Sequence, residues 1–206
     1  MVMKLLRIAV TGSAGSGKSL VCQRFKAIGL VTLDCDVIAR EIVEPGMPGF
    51  KKIVELFGQK VVRKEGTLDR EKLRNIIVND SLLRQKMENI LHPQISREMV
   101  SQIENAAFKE YNAVVVEVPL LFELGMEKQF DVTIAVMAQD MDLVLRICDR
   151  DNVTREDAKK VLDLQMSQED KMAKADHVIV NKGTMSELFE SVDNLFDKIQ
   201  KEFLTS

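Results

Sequence analysis

Cysteine is scarce in this chain of 206 residues, and its placement excludes more than its number does. Cys22, Cys35 and Cys148 form an odd set with no Cys-x-x-Cys spacing, which argues against both a disulfide framework and a zinc site. That usage fits a reducing cytoplasm. No run approaches the roughly 18 consecutive apolar residues of a membrane span. The N-terminus enters a short apolar segment without the basic, apolar and small-residue regions of a secretory signal. Neither secretion nor a membrane partner is expected. Basic blocks are missing too: 29 Lys and Arg are interspersed with 32 Asp and Glu for a net charge of −3, so nucleic acid is not an expected partner. A small anionic ligand needs only local positive charge. Internal repeats and low-complexity stretches are absent, and the methionines are scattered as core fillers. Nothing in this pattern specifies an oligomeric state.

The most informative stretch present is Gly12 to Ser19, GSAGSGKS, a complete match to GxxxxGKS/T. It follows the apolar run LLRIAVT (Leu5 to Thr11) and opens into KSLVCQRFKAI, the strand, loop and helix context that gives the pattern its meaning. Gly12, Gly15 and Gly17 let the backbone turn tightly enough to aim N–H groups inward, and the positive end of the next helix adds to the attraction for phosphate. The cradle as a whole, with Ser13, Ala14, Ser16 and Leu20, is expected to hold the phosphates of a nucleotide. Lys18 reaches the terminal phosphates, and the Ser19 hydroxyl is the expected ligand of Mg²⁺.

Five short apolar runs read as buried strands: Leu5 to Thr11, Leu30 to Leu33, Ala113 to Val118, Val132 to Val136 and His177 to Val180. Helical stretches separate them, which points to an α/β fold with a parallel sheet covered on both faces. Thr154 to Asp157, Ser167 to Asp170 and Thr184 to Glu187 fit the capping-box pattern. Leu188, Val192, Leu195, Phe196, Ile199 and Phe203 form one stripe of a C-terminal helix. Val21, Phe25 and Ile28 share a face of the helix after the cradle, which Gly29 can close.

The stretch between the second and third strands is far longer than a crossover needs. Its pattern is helical, with apolar sets Phe50, Ile53, Val54 and Phe57; Leu73, Ile76 and Ile77; and Ile95, Met99 and Ile103, the last behind Pro93 read as a helix start. The expected organisation is a P-loop NTPase three-layer core over residues 1–44 and 112–206, a five-stranded parallel sheet, and an α-helical substrate insertion over 45–111. A helical decoration without a ligand fits the same pattern. A lid over about 146–176 is expected to carry arginines to the phosphates.

Phosphoryl transfer needs alignment, charge neutralisation and a group to take the nucleophile's proton. Asp34 and Asp36 point the same way if the second strand continues through them, so one could orient an attacking hydroxyl; a helix N-cap role for one is the alternative. Arg146 and Arg150, four residues apart, share a helix face and suit the moving charge, unless Asp149 and Asp151 occupy them as surface pairs. Glu117 could order a metal, bind a second substrate or cap the turn at Pro119. His92 could cap a helix or touch a ligand. Asn181-Lys182-Gly183 lacks the aspartate that a guanine-reading element requires, because Thr184 stands there.

Taken together, these residues resemble the dephospho-CoA kinase family along nearly the whole chain. The resemblance is carried by VTGSAGSGKS at Val10, DCDVIAR at Asp34, GTLDR at Gly66, LHP at Leu91 and VPLLFE at Val118. It continues through RICDRD at Arg146, QMSQEDKMAKAD at Gln165 and IVNKG at Ile179. Ser13, Ala14, Leu20 and Cys35 depart from the usual family residues, and Glu117 falls where the family varies. What the resemblance implies is ATP-dependent phosphorylation of the ribose 3′-hydroxyl of dephospho-CoA. It places the catalytic group on Asp36, phosphate contact on Lys18 and Arg146 with Arg150 beside it, and acceptor contacts on Asp34, Arg40, Asp69, Arg70, His92, Pro93 and Leu120. The nearest alternative is a P-loop kinase acting on another small molecule, and a nucleotide-dependent switch is a more distant one.

Overall fold

The computed structural model describes residues 5–108 and 112–204. The ends of the expected core range, and residues 109–111 of the expected insertion, lie outside the described residues. The five apolar runs fold as β1 (Leu6–Thr11), β2 (Val31–Asp34), β3 (Ala113–Glu117), β4 (Val132–Met137) and β5 (His177–Val180). They form one parallel sheet in the order β2-β3-β1-β4-β5. The register pairs Val10 with Glu117 across β1 and β3, and Val10 with Ile134 across β1 and β4. β1, at the centre, is therefore buried on both faces, as its continuous apolar run requires.

Two compact units emerge, residues 1–33 with 105–206, and residues 34–104. In the first, helices α1 (Lys18–Ala27) and α9 (Met185–Leu204) pack together against the sheet. Val21 and Phe25 from α1 meet Leu188, Val192, Phe196 and Ile199 from α9 in one buried cluster with Ile8, Val10, Val115, Ile134 and Ile179. Phe25 and Phe196 stack edge to face at 5.8 Å, a pairing worth about 0.5–1.5 kcal/mol beyond the area it buries. Outside this core the Arg24 guanidinium forks onto Asp193, at 2.8 Å from Nε, and ties the two helices. α1 ends in a Schellman turn: Gly29, at φ +97°, donates to Lys26 and Leu30 donates to Phe25.

Helices α6 (Asp140–Asp151), α7 (Arg155–Asp163) and α8 (Gln168–Lys174) follow β4. Thr154 and Ser167 cap α7 and α8 through their hydroxyls, as the sequence pattern requires. Thr184 and Glu187 cap α9 reciprocally, Thr184 N–H donating to Oε2 at 2.7 Å and Glu187 N–H to the threonine hydroxyl at 3.3 Å. These bonds hold the Glu187 carboxyl below its ordinary range, the Thr184 N–H first and its hydroxyl second.

The unit over residues 34–104 is helical: α2 (Cys35–Glu41), α3 (Pro48–Phe57), α4 (Arg70–Asn79) and most of α5 (Ser81–Phe108). Ile38, Ile53, Phe57, Val61, Leu73 and Met99 are buried. α2 and α3 approach so closely at Gly49 that a Cβ there would strike the Ile42 carbonyl.

Pro93 does not start a helix. It lies inside α5, where its missing N–H leaves the Asn89 carbonyl without a helical donor. The helix runs on because the residues beyond, Met99 and Ile103, are buried on its far side of the proline. Side chains supply donors around the interruption: Gln94 Nε2 reaches the Ile90 carbonyl at 2.8 Å, and Arg97 Nε the Pro93 carbonyl at 3.0 Å. Strand continuation through Asp34 and Asp36 is also corrected. β2 stops at Asp34, whose carboxylate accepts from Asp36 N–H at 2.7 Å and Val37 N–H at 3.4 Å, capping α2. Satisfying two first-turn helical amides with one carboxylate outweighs two more residues of edge strand.

Candidate active site

The glycine loop joins the C-terminal end of β1 to the N-terminus of α1, so Lys18 is the first helical residue and Gly17 its N-cap. Gly17 sits at φ +99°, and a Cβ there would collide with the Asn181 side-chain amide. Gly12 is equally constrained, since a Cβ would meet the Val136 carbonyl of β4. The loop thus turns close against neighbouring strand ends, where only a bare backbone fits. Its curl is held by Ser16 N–H to the Ser13 carbonyl at 3.1 Å, and buried Lys18 closes it by donating Nζ to the same carbonyl at 3.1 Å. An ammonium group and the start of a helix dipole meet at a glycine loop here, which is chemistry for polyphosphate.

Four side chains from distant parts of the chain brace this loop. Ser19 Oγ donates to Glu117 Oε1 at 3.1 Å, and Glu117, at the C-terminal end of β3, is 7% exposed. Arg146, in the middle of α6, donates Nη1 to the Gly15 carbonyl at 3.1 Å, with Asp142 one turn earlier at 3.8 Å. Asn181, just past β5, donates Nδ2 to the Ser16 carbonyl at 2.9 Å. Gln165, between α7 and α8, accepts from Ala14 N–H at 2.9 Å. Arg146 and Arg150 both lie on α6 as the spacing requires, but Arg150 Nε reaches Asp151 at 2.8 Å, its exposed neighbour pairing. Ser13 and Ser16 are buried loop residues, Ser16 Oγ without a hydrogen-bond partner among the described residues. Leu20 lies half-buried in the first turn of α1.

The turn after β3 is fixed from α8. Lys171, 1% exposed, donates Nζ to the Pro119 carbonyl at 2.9 Å and pairs with Glu123 at 2.8 Å; Glu123 also accepts from Met166 N–H at 2.9 Å. Half-buried Leu120 lies in this turn. Buried Gln168 brackets Ala138 through both its N–H and its C=O, at 3.0 and 2.9 Å. The carboxylate of Asp176 accepts from the Thr133 N–H and hydroxyl at 2.8 and 2.7 Å. The resemblance motifs contain Gln165, Gln168, Lys171, Glu123 and Asn181 without a physical role attached, Asn181 also standing in an incomplete guanine-reading element.

Within residues 34–104, Arg40, Asp69 and Arg70 come together. Arg70 donates to the Arg40 carbonyl at 3.3 Å and to Glu44 at 3.1 Å, and Asp69 caps α4 through Lys72 N–H at 3.1 Å. Arg63 joins them opposite Asp69 at 3.6 Å. A cavity of about 240 Å³ opens here between Glu44, Arg63, Thr67 and Arg70. His92 and Pro93 are on α5, away from the lining of that cavity; a second cavity of about 390 Å³ is lined by Met47, Lys52, Gln94 and Arg97. Asp36 is exposed in the first turn of α2. All three cysteines are free thiols. No group of three or more His, Cys, Asp or Glu suited to a metal occurs among the described residues, and no described helix is long and apolar enough to cross a membrane.

A GxxxxGKS loop between the central strand of a parallel sheet and a helix N-terminus, closed by its own lysine, defines a P-loop nucleotide-binding protein of the kinase type. The family model described as dephospho-CoA kinase matches residues 6–187. A dephospho-CoA kinase of Bacillus cereus is 38% identical over 178 residues, 86% of this chain and 89% of that protein. The crystal structure of TT1252 from Thermus thermophilus superposes with a TM-score of 0.80 at 28% identity, covering 94% of this chain and 97% of that one. A dephospho-CoA kinase from Campylobacter jejuni gives 0.71 at 29% identity, covering 95% and 98%. This chain belongs to the dephospho-CoA kinase family.

Proposed function

We propose that this protein transfers the γ-phosphoryl group of ATP to the ribose 3′-hydroxyl of dephospho-CoA, giving coenzyme A and ADP. The observation that carries the reading is the closed cradle, with the Lys18 ammonium on the Ser13 carbonyl and the Arg146 guanidinium on the Gly15 carbonyl, in a chain of this family. The loop amides and Lys18 align the donor's phosphates for in-line displacement. Arg146 shields the charge that spreads over the transferring group. Asp36 takes or orients the proton of the acceptor hydroxyl, and Asp34, by capping α2, sets where Asp36 stands. Arg40, Asp69, Arg70, His92, Pro93 and Leu120 contact the acceptor, and Arg150 supports Arg146.

Ser19 Oγ and Glu117 Oε1, 3.1 Å apart, are hard oxygen donors of the kind Mg²⁺ takes, so the residues present fit that ion. Ser19 would hold it directly and Glu117 through water; when bound it supplies neutralisation of the phosphate charge. Three free thiols fit a reducing compartment such as the cytoplasm. A panel of acceptors with labelled ATP tests the reading. Label is expected in dephospho-CoA far above AMP, CMP or UMP. Equal or greater labelling of a nucleoside monophosphate overturns it.

A further inference from the structure

The Gln165 side chain braces the cradle with only half of its amide. Ala14 N–H can be met only by an oxygen, so the 2.9 Å bond fixes the amide with Oε1 on Ala14. The other half of the group, Nε2 with two donors, has no acceptor among the described residues. The amide is not on a loose segment. The next residue, Met166, is held to Glu123, and Gln168 and Lys171 are locked onto Ala138 and Pro119.

Its location identifies what it faces. A P-loop lysine reaches the β- and γ-phosphates, and Lys18 Nζ lies against the carbonyl of Ser13, the residue before Ala14. The terminal phosphates therefore come to the Ser13–Ala14 side of the loop. Arg146 grips the next residue, Gly15, at its carbonyl. A cationic donor and a neutral amide donor thus occupy consecutive residues of the loop at its γ-phosphate end. The amide is held by the loop itself, so it is oriented before the nucleotide arrives.

We propose that Gln165 is a specificity-determining residue of the phosphoryl-donor site, its carbonyl anchored on Ala14 N–H and its Nε2 donating to the terminal phosphoryl of a nucleoside triphosphate. The inference rests on the reading of GSAGSGKS as the triphosphate cradle. Through this contact the protein distinguishes a triphosphate from the diphosphate it leaves behind. The segment between α7 and α8 is thereby part of the donor site.

Two variants separate the anchor from the contact. Gln165→Glu keeps an acceptor oxygen for Ala14 N–H but replaces the donors with negative charge; Gln165→Met removes both. Titration calorimetry with Mg·ADP and with a non-hydrolysable Mg·ATP analogue, on full-length protein whose melting temperature is checked, reads the result. Gln165→Glu is expected to weaken analogue binding roughly ten- to hundredfold, the scale of a lost hydrogen bond to a charged group, with ADP binding within about twofold of the parent. Gln165→Met is expected to show the same selectivity at a smaller loss. Equal weakening of both nucleotides, or none, overturns the proposal and leaves Gln165 as scaffolding. If the parent protein binds neither nucleotide, the cradle reading itself fails, and this inference with it.

Discussion

Replacing Lys171 by methionine removes a buried ammonium while roughly keeping its volume, and the structure sets the expected cost. Lys171 is 1% exposed and Glu123 18% exposed. Without Lys171, the Pro119 carbonyl keeps only a long 3.4 Å contact from the Thr11 hydroxyl, and Glu123 keeps one donor, Met166 N–H, with its second oxygen already buried and unpartnered among the described residues. Breaking one side of a buried pair costs about 3–5 kcal/mol, and the partial exposure of Glu123 places this case at about 3 kcal/mol. For a chain of this size that is a fall in melting temperature of about 6–12 °C. Adding Glu123→Gln removes the stranded charge while leaving an acceptor for Met166 N–H. The double variant is therefore expected to recover about 1–2 kcal/mol relative to the sum of the singles. Urea unfolding followed by circular dichroism, at unchanged m, measures both quantities. A loss below about 1 kcal/mol in Lys171→Met, or strictly additive effects, would refute the view that this pair is what fixes the turn after β3.

Other expected outcomes concern the chemistry and one cap. Asp36→Asn is expected to retain ATP affinity and lose about 10²–10⁴ in kcat, the range of a general base; unchanged turnover removes Asp36 from that role. Arg146→Ala is expected to lower kcat about 10³-fold with a smaller change in the KM for dephospho-CoA, and the opposite split would make it an acceptor contact. Glu187, held below the usual carboxyl range of about 4.3 by Thr184, contributes stability that is present above that value and lost as pH falls through its lowered folded pKa. The stability gap between the parent and Glu187→Gln should therefore be largest near neutrality and shrink as the pH falls below the usual carboxyl range. A gap that does not change with pH in thermal melts would mean the carboxylate charge is not what caps α9.

Features with a local period or local chemistry were legible in the chain. The five strands and the stripe on α9 follow from apolar runs and a 3.6-residue repeat, and the caps at Thr154, Ser167 and Thr184 from hydroxyl and carboxylate three residues apart. The glycine loop announced its own geometry, because Gly12 and Gly17 occupy backbone positions where a side chain would collide. Local preference alone favours Pro93 as a helix start. Burial of residues farther along α5 decided otherwise. Asp34 suits two roles by sequence, since where a strand stops is a matter of tertiary pairing.

What the sequence by itself determined is the phosphate-binding chemistry and the inventory of elements, which depend on neighbours within a few residues. Only the tertiary structure decided the strand order that places β1 at the centre, and the braces on the loop. Ser19 meets Glu117 across 98 residues, Arg146 meets Gly15 across 131, Gln165 meets Ala14 across 151, and Asn181 meets Ser16 across 165. No periodicity connects such partners, because what brings them together is the closing of a parallel sheet over its crossovers, a global consequence of burying every strand at once.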